Sequence, residues 1–106
     1  MGKIYVGQKV EIRLDTDTDL STATGSVIRA VKPSGTIVCW TGTIDGEEVV
    51  YTTNGTPLTD LVAGTTPAPP FDIDESGRWR LQAVPEIDGA AIPGETVTMI
   101  VFKMGE

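Results

Sequence analysis

The sequence predicts an all-β domain, an antiparallel sandwich of about seven strands. Three observations carry this. Apolar and polar residues alternate with period two in several short runs, as in Val10, Ile12 and Leu14 against Lys9, Glu11 and Arg13. Turn dipeptides punctuate the runs at sandwich-like intervals: Pro33-Ser34-Gly35, Asp45-Gly46, Asp88-Gly89 and Pro93-Gly94. No helix of ordinary length is legible. A chain of 106 residues suits one domain spanning 1–106 and is long enough to bury one core without staples.

The elements follow in order. Residues 3–14 form the first strand, with Ile4, Val6, Val10, Ile12 and Leu14 inward and Gly7 as a bulge or bend. Residues 15–24 form a polar connection. There Asp15, Asp17 and Asp19 have the spacing that opens a calcium loop, but Leu20 and Ser26 stand where that loop needs glycine and glutamate. A solvated turn whose side chains bond their own backbone is expected instead. The second strand covers 25–32. Its register is open, and the place of Arg29 beside Val27 and Val31 favours Ile28 and Ala30 inward.

Residues 36–44 and 47–53 are the third and fourth strands, joined by Asp45-Gly46. A two-residue loop at that dipeptide sets Ile44 opposite Glu47, Gly42 opposite Val49, Trp40 opposite Tyr51 and Val38 opposite Thr53. Val38, Trp40, Ile44, Val49 and Tyr51 then share a core face, and Cys39 lies on the other face, opposite Thr52. Residues 54–74 form a long Pro-rich loop, with Leu58, Leu61 and Val62 as its apolar part and Pro69, Pro70 and Phe71 closing it. It reads as a passive surface loop, a contact arm for a neighbouring subunit, or a proline-recognition ligand. Residues 77–86 alternate Trp79, Leu81 and Ala83 with Arg78, Arg80 and Gln82. Residues 95–103 are the last strand, with Val97, Met99 and Val101 on one face and Ile100 and Phe102 on the other. Apolar residues on both faces imply cover on both sides, or a Phe102 packed at a sheet end.

Charge and composition bound the function. Fifteen acids against eight bases leave a formal charge of −7, which disfavours nucleic-acid and anionic-membrane partners. No apolar run approaches the roughly 20 residues of a membrane span, and the first residues lack the apolar core of a signal peptide. Cys39 is the sole cysteine and there is no histidine, so neither an internal disulfide nor the commonest general base is present. Asp72, Asp74 and Glu75 are the clustered carboxylates that a glycosidase-like reading would use, but acids grouped in a turn are ordinarily solvated, and no enzyme activity, cofactor or metal is expected.

Two resemblances sharpen these expectations. Glu75-Ser76-Gly77-Arg78-Trp79-Arg80-Leu81 resembles the start of strand F in immunoglobulin-like domains, with Trp79 in place of a tyrosine and Leu81 in place of a cysteine. Trp40 stands where such folds often carry a core tryptophan. The ordered set Asp19-Leu20-Ser21-Thr22-Ala23-Thr24, Val31-Lys32-Pro33-Ser34-Gly35-Thr36, Trp40-Thr41, Val50-Tyr51-Thr52-Thr53, Gly77-Arg78-Trp79-Arg80-Leu81-Gln82-Ala83 and Gly94-Glu95-Thr96-Val97 resembles short immunoglobulin-like structural proteins of bacteriophages and prophages. Those are similar to the N-terminal domain of upper-baseplate proteins. The resemblance covers nearly the whole chain. It departs at 54–74, which is longer than in that family, and no fibre-like extension follows.

The resemblance implies an immunoglobulin-like sandwich with a non-enzymatic role in a virion tail, baseplate or head-associated assembly. Synthesis would be in the bacterial host cytoplasm. Partners would be other virion proteins and further copies of the chain in a symmetric oligomer, with no nucleic acid and no membrane insertion. Leu58, Leu61, Val62, Pro69, Pro70, Phe71, Ile100 and Phe102 are the expected interface residues. The alternative is a β-sandwich binding module for host-surface carbohydrate or protein, with Tyr5, Phe71 and Phe102 as its stacking groups.

Overall fold

Pairing of distant segments places the strands in two layers. The computed structural model describes residues 3–55 and 72–103. Nine strands lie there: β1 (Ile4–Tyr5), β2 (Glu11–Asp15), β3 (Gly25–Val31), β4 (Ile37–Thr41), β5 (Thr43–Asp45), β6 (Glu48–Thr52), β7 (Gly77–Ile87), β8 (Ala90–Ala91) and β9 (Thr96–Phe102). The larger sheet has the order β1-β9-β7-β3-β4, with β8 paired to β7; the smaller has the order β2-β6-β5. Seven strands run three residues or more, and β1 and β8 add two short ones. Every pairing is antiparallel except β1 with β9. In strand order β3-β7-β9 matches C-F-G of an immunoglobulin-like sandwich, and β2-β6-β5 matches B-E-D. No helix among the described residues is long and apolar enough to cross a membrane.

The core fills the space between the layers through period-two alternation. In β3, Ser26, Ile28 and Ala30 turn inward and Arg29 outward; in β7, Trp79, Leu81, Ala83 and Pro85 are buried. Met99 and Val101 of β9 join them from the same sheet, and Ile12, Leu14 and Val49 from the other. Val97 lies on the inward side but is 45% exposed, beyond the cover of the smaller sheet. At the centre the Trp40 ring stacks on Tyr51 (5.1 Å between centroids) and on Trp79 (6.1 Å). Trp40 and Trp79 belong to one sheet, with Ala30 on the strand between them leaving room for the rings to meet.

Two expected strands divide between the sheets. The run 3–14 breaks at Gly7: β1 joins the larger sheet and β2 the smaller. Between them Thr53 substitutes for a regular ladder. Its N–H donates to the Val10 carbonyl, its hydroxyl donates to the Gln8 carbonyl, and the Val10 N–H donates to that hydroxyl. The run 36–44 breaks at Gly42, where the chain crosses from β4 in one sheet to β5 in the other. A Cβ on Gly42 would lie 2.4 Å from Val49 Cγ1. Gly42→Ala is therefore expected to cost about 1–3 kcal/mol through overpacking, measured by urea denaturation. A neutral result would place the crossover elsewhere.

The β5–β6 hairpin also departs from expectation. Ile44 pairs with Val49 and Asp45 with Glu48, so the loop is Gly46-Glu47 rather than Asp45-Gly46. Gly46 has φ +64° and Glu47 has no positive φ, which puts glycine at the first central position, the type II′ arrangement. Trp40 consequently pairs with Ile28 and Tyr51 with Ile12, Val38 pairs with Ala30, and Cys39 with Arg29. Trp40 and Tyr51 still meet, but across the sandwich instead of across one ladder. The two-residue hairpin with both φ values positive is at Asp88-Gly89, between β7 and β8.

Candidate functional site

The acidic stretch ahead of β7 is a set of anchors. Asp72 accepts from the Tyr51 hydroxyl at 2.7 Å and from the Asn54 N–H at 2.9 Å, while its own N–H donates to Asn54 Oδ1. These bonds tie residue 54 to residue 72 and close the base of the long segment. Asp74 pairs with Lys32 at 2.8 Å, both side chains largely shielded; its other oxygen is buried and has no partner among the described residues. Glu75 accepts from the Ser34 N–H and hydroxyl. The Glu75 carbonyl accepts from Trp79 Nε1 at 2.9 Å. That bond reaches four residues upstream, the reach of the tyrosine corner, made here by an indole. The three carboxylates thus serve three separate sets of donors and hold the strand entrance.

Burial, and then the Asp72 carboxylate, push the Tyr51 hydroxyl up to about 12 from 10.0. The folded protein therefore holds this proton where the unfolded chain has lost it. The corresponding stability is complete below pH 10 and falls away as the pH rises from 10 towards 12. Tyr51→Phe is expected to flatten that part of the stability profile, seen as a smaller fall in melting temperature between those two pH values. Equal falls in both proteins would refute it.

The Asp15-Asp17-Asp19 spacing does not close into a calcium loop. Asp15 accepts from the Asp17 N–H and Asp19 from the Ser21 N–H, the expected turns onto local backbone. The Ser21 bonds hold the Asp19 carboxyl below the usual carboxylate range. Asp17 has φ +54°, and Leu20 beside it is buried, an inward plug within a polar stretch. Asp15 and Asp17 instead approach Glu47 from the β5–β6 turn, with one oxygen of each within 4.8 Å of the others, all exposed.

The two outward sheet faces differ in chemistry. On the larger sheet, Arg29 of β3 and Arg78 and Arg80 of β7 point outward and are exposed. Among the described residues none of these three side chains has a hydrogen bond or an ion pair. Around them lie Ile37, 51% exposed, and Ile100, 45% exposed, with Ile100 directly opposite Arg78. Arg29, Val31, Ile37, Arg80, Gln82 and Thr96 contribute to the lining of an open depression of ≈ 350 Å³. Cys39 is exposed on the same face, opposite Arg29.

Of the expected interface residues, Ile100 is on this face and uncovered. Phe102 is half-buried at the sheet end, its ring 6.2 Å from Tyr5 and 4.8 Å from Lys3 Nζ. The cover expected over both is therefore absent from Ile100 among the described residues, and Phe102 has the sheet-end packing. Leu58, Leu61, Val62, Pro69, Pro70 and Phe71 lie outside the described residues.

On the smaller sheet the outward face carries Asp15, Glu48 and Asp45 in one row across β2, β6 and β5. Like charges in direct cross-strand register repel. Among the described residues Arg13 is the one cation bonded to this row, reaching Asp45 and Glu48, as well as Glu11 beside it, but not Asp15. Those bonds, Asp45 first, raise the guanidinium's already high pKa. Local periodicity identifies these residues as outward but does not reveal that they form a row, because the row depends on the hairpin register.

No protein-family model, no curated protein and no solved structure matches the chain.

Proposed function

We propose that the protein is a non-enzymatic structural module of a bacteriophage or prophage virion, in a tail, baseplate or head-associated assembly. The observation that carries this reading is the ordered set of motifs from Asp19 to Val97. The structural support is chemical: the broad sheet turns outward arginines that have no partner among the described residues, and exposed isoleucines, groups suited to contact with another protein surface. Mass spectrometry and immunogold labelling of particles from an induced lysogen carrying the gene should find the protein at a fixed copy number per particle. Its reproducible absence would overturn the reading.

A second reading is favoured by the open depression beside Arg29 and Arg80, whose guanidinium, amide and hydroxyl groups suit an acidic ligand such as a charged host glycan. Aromatic stacking contributes little to it from the described residues. Trp40 and Trp79 are buried, and Tyr5 and Phe102 pack on each other. A glycan array that includes sulfated and sialylated members tests it, and binding no higher than background would remove it.

A further inference from the structure

We infer that the outward arginine face of the β9-β7-β3-β4 sheet docks the outward carboxylate face of the β2-β6-β5 sheet of a second copy of this chain, head to tail. Each face carries a feature that is unfavourable alone and that the other relieves. The Asp15–Glu48–Asp45 row holds three carboxylates in cross-strand register, with Arg13 bonding two of them, Asp45 and Glu48. Arg29, Arg78 and Arg80 have no anionic partner among the described residues, in a protein whose formal charge is −7. The acids fall elsewhere: Asp74 on Lys32, Glu75 on Ser34, and Glu86 at the far end of β7 on Thr24.

The spacings are commensurate. Neighbouring carboxylates in the row sit one strand spacing apart, about 4.8 Å, and Arg78 and Arg80 sit two residues apart on one strand, about 6.6 Å. A guanidinium fork is long enough to span that difference and can accept bidentate geometry. Ile37 and Ile100 flank the arginines, and Val50 lies next to the carboxylate row, so apolar area is buried with the charges. The smaller face measures at most roughly 14 Å by 17 Å, from two strands of five residues and one of three. At roughly 240 Å² on each copy that is smaller than a stable protein interface, so a single contact is weak and salt-sensitive, and closure into a ring adds avidity. Head-to-tail contacts propagate into a ring or an open stack according to the rotation between copies. This association is a property of the purified chain, so it stands or fails separately from the virion reading.

The test is sedimentation equilibrium of the full chain over a wide concentration range at low ionic strength, repeated in about 0.5 M salt, where the Debye length is only about 4 Å. The average mass of the wild type should climb above the 11.2 kDa of one chain with concentration and return to it in salt. Arg29→Ala/Arg80→Ala and Asp45→Ala/Glu48→Ala should each stay at one chain while keeping the wild-type circular dichroism and melting transition. Their equimolar mixture should form a species of two chains and no more, because each supplies the face the other lacks. Alkylation of Cys39 should slow several-fold with wild-type concentration and stay constant in the arginine variant. A wild type that remains a single chain throughout overturns the inference. So does association that survives in both variants, which places the contact on another surface. So does loss in the arginine variant alone, which leaves an acidic partner other than this row.

Discussion

Trp79→Ala is expected to lower the unfolding free energy by about 3–5 kcal/mol. Small domains are stable by roughly 5–15 kcal/mol, so the loss threatens folding itself. Trp79 is fully buried, and its removal opens a cavity beside Trp40 that the surrounding strands cannot close. Its indole N–H also secures the Glu75 carbonyl, and Lys32 Nζ lies 6.0 Å over its ring. Two substitutions separate these contributions. Trp79→Phe retains part of the ring stack and forfeits the hydrogen bond, at a cost of about 1–3 kcal/mol for the unmatched carbonyl and the lost ring area. Urea denaturation with unchanged slope measures both. An alanine variant with the wild-type midpoint would contradict the burial.

Ile73→Ala is expected to cost about 2–5 kcal/mol, and Ile73→Val about 0.5–1.5 kcal/mol. Ile73 is fully buried between two carboxylates that are each held, Asp72 by Tyr51 and Asn54, Asp74 by Lys32. Its carbonyl accepts from the Gly7 N–H at 2.8 Å, where the chain passes from one sheet to the other. The residue therefore joins the strand entrance of β7 to the β1–β2 switch. Beyond lost stability, the alanine variant should show faster amide exchange at Gly7 and Val6, since the latter's N–H bonds Phe102 next to it. A variant as stable as the wild type, with unchanged exchange there, would show that Ile73 holds nothing in place.

Much of the core was legible because alternation is local. Ile28 and Ala30 are inward on β3, and Trp79, Leu81 and Ala83 on β7, as their spacing implies. The side chains of 15–24 bond their own backbone as turn chemistry suggests. Ile73 and Leu20 escaped notice because each is a lone apolar residue in a polar or irregular stretch, with no periodicity to mark it. Trp40 and Tyr51 were matched to the right core face by a wrong register. An Asp-Gly dipeptide suits glycine at either central turn position, and the crossover at Gly42 removes β4 from the hairpin altogether. At the candidate site, alternation puts Ile100 and Phe102 on one face and implies cover there, whereas Ile100 is exposed, Phe102 packs against Tyr5, and the arginines of that face read in sequence only as a wet side.

By itself the sequence determined which side chains within each strand share a face, since the pleat alternates every residue whatever the strand pairs with. It also located the turns, through the backbone preferences of glycine, proline and aspartate, though not which residues occupy the centre of the β5–β6 turn. Only the tertiary structure decided which sheet each strand enters. Gly7 and Gly42 permit either a bend or a crossover, and the choice is made by partners far away: β1 pairs with β9 across almost the full chain, and β5 with β6 rather than with β4's neighbours. The same long-range choice sets the charges on the two outward faces. Arg29 and Arg80 gather on one and Asp15, Glu48 and Asp45 on the other because strand order, not sequence neighbourhood, brings residues of different strands side by side.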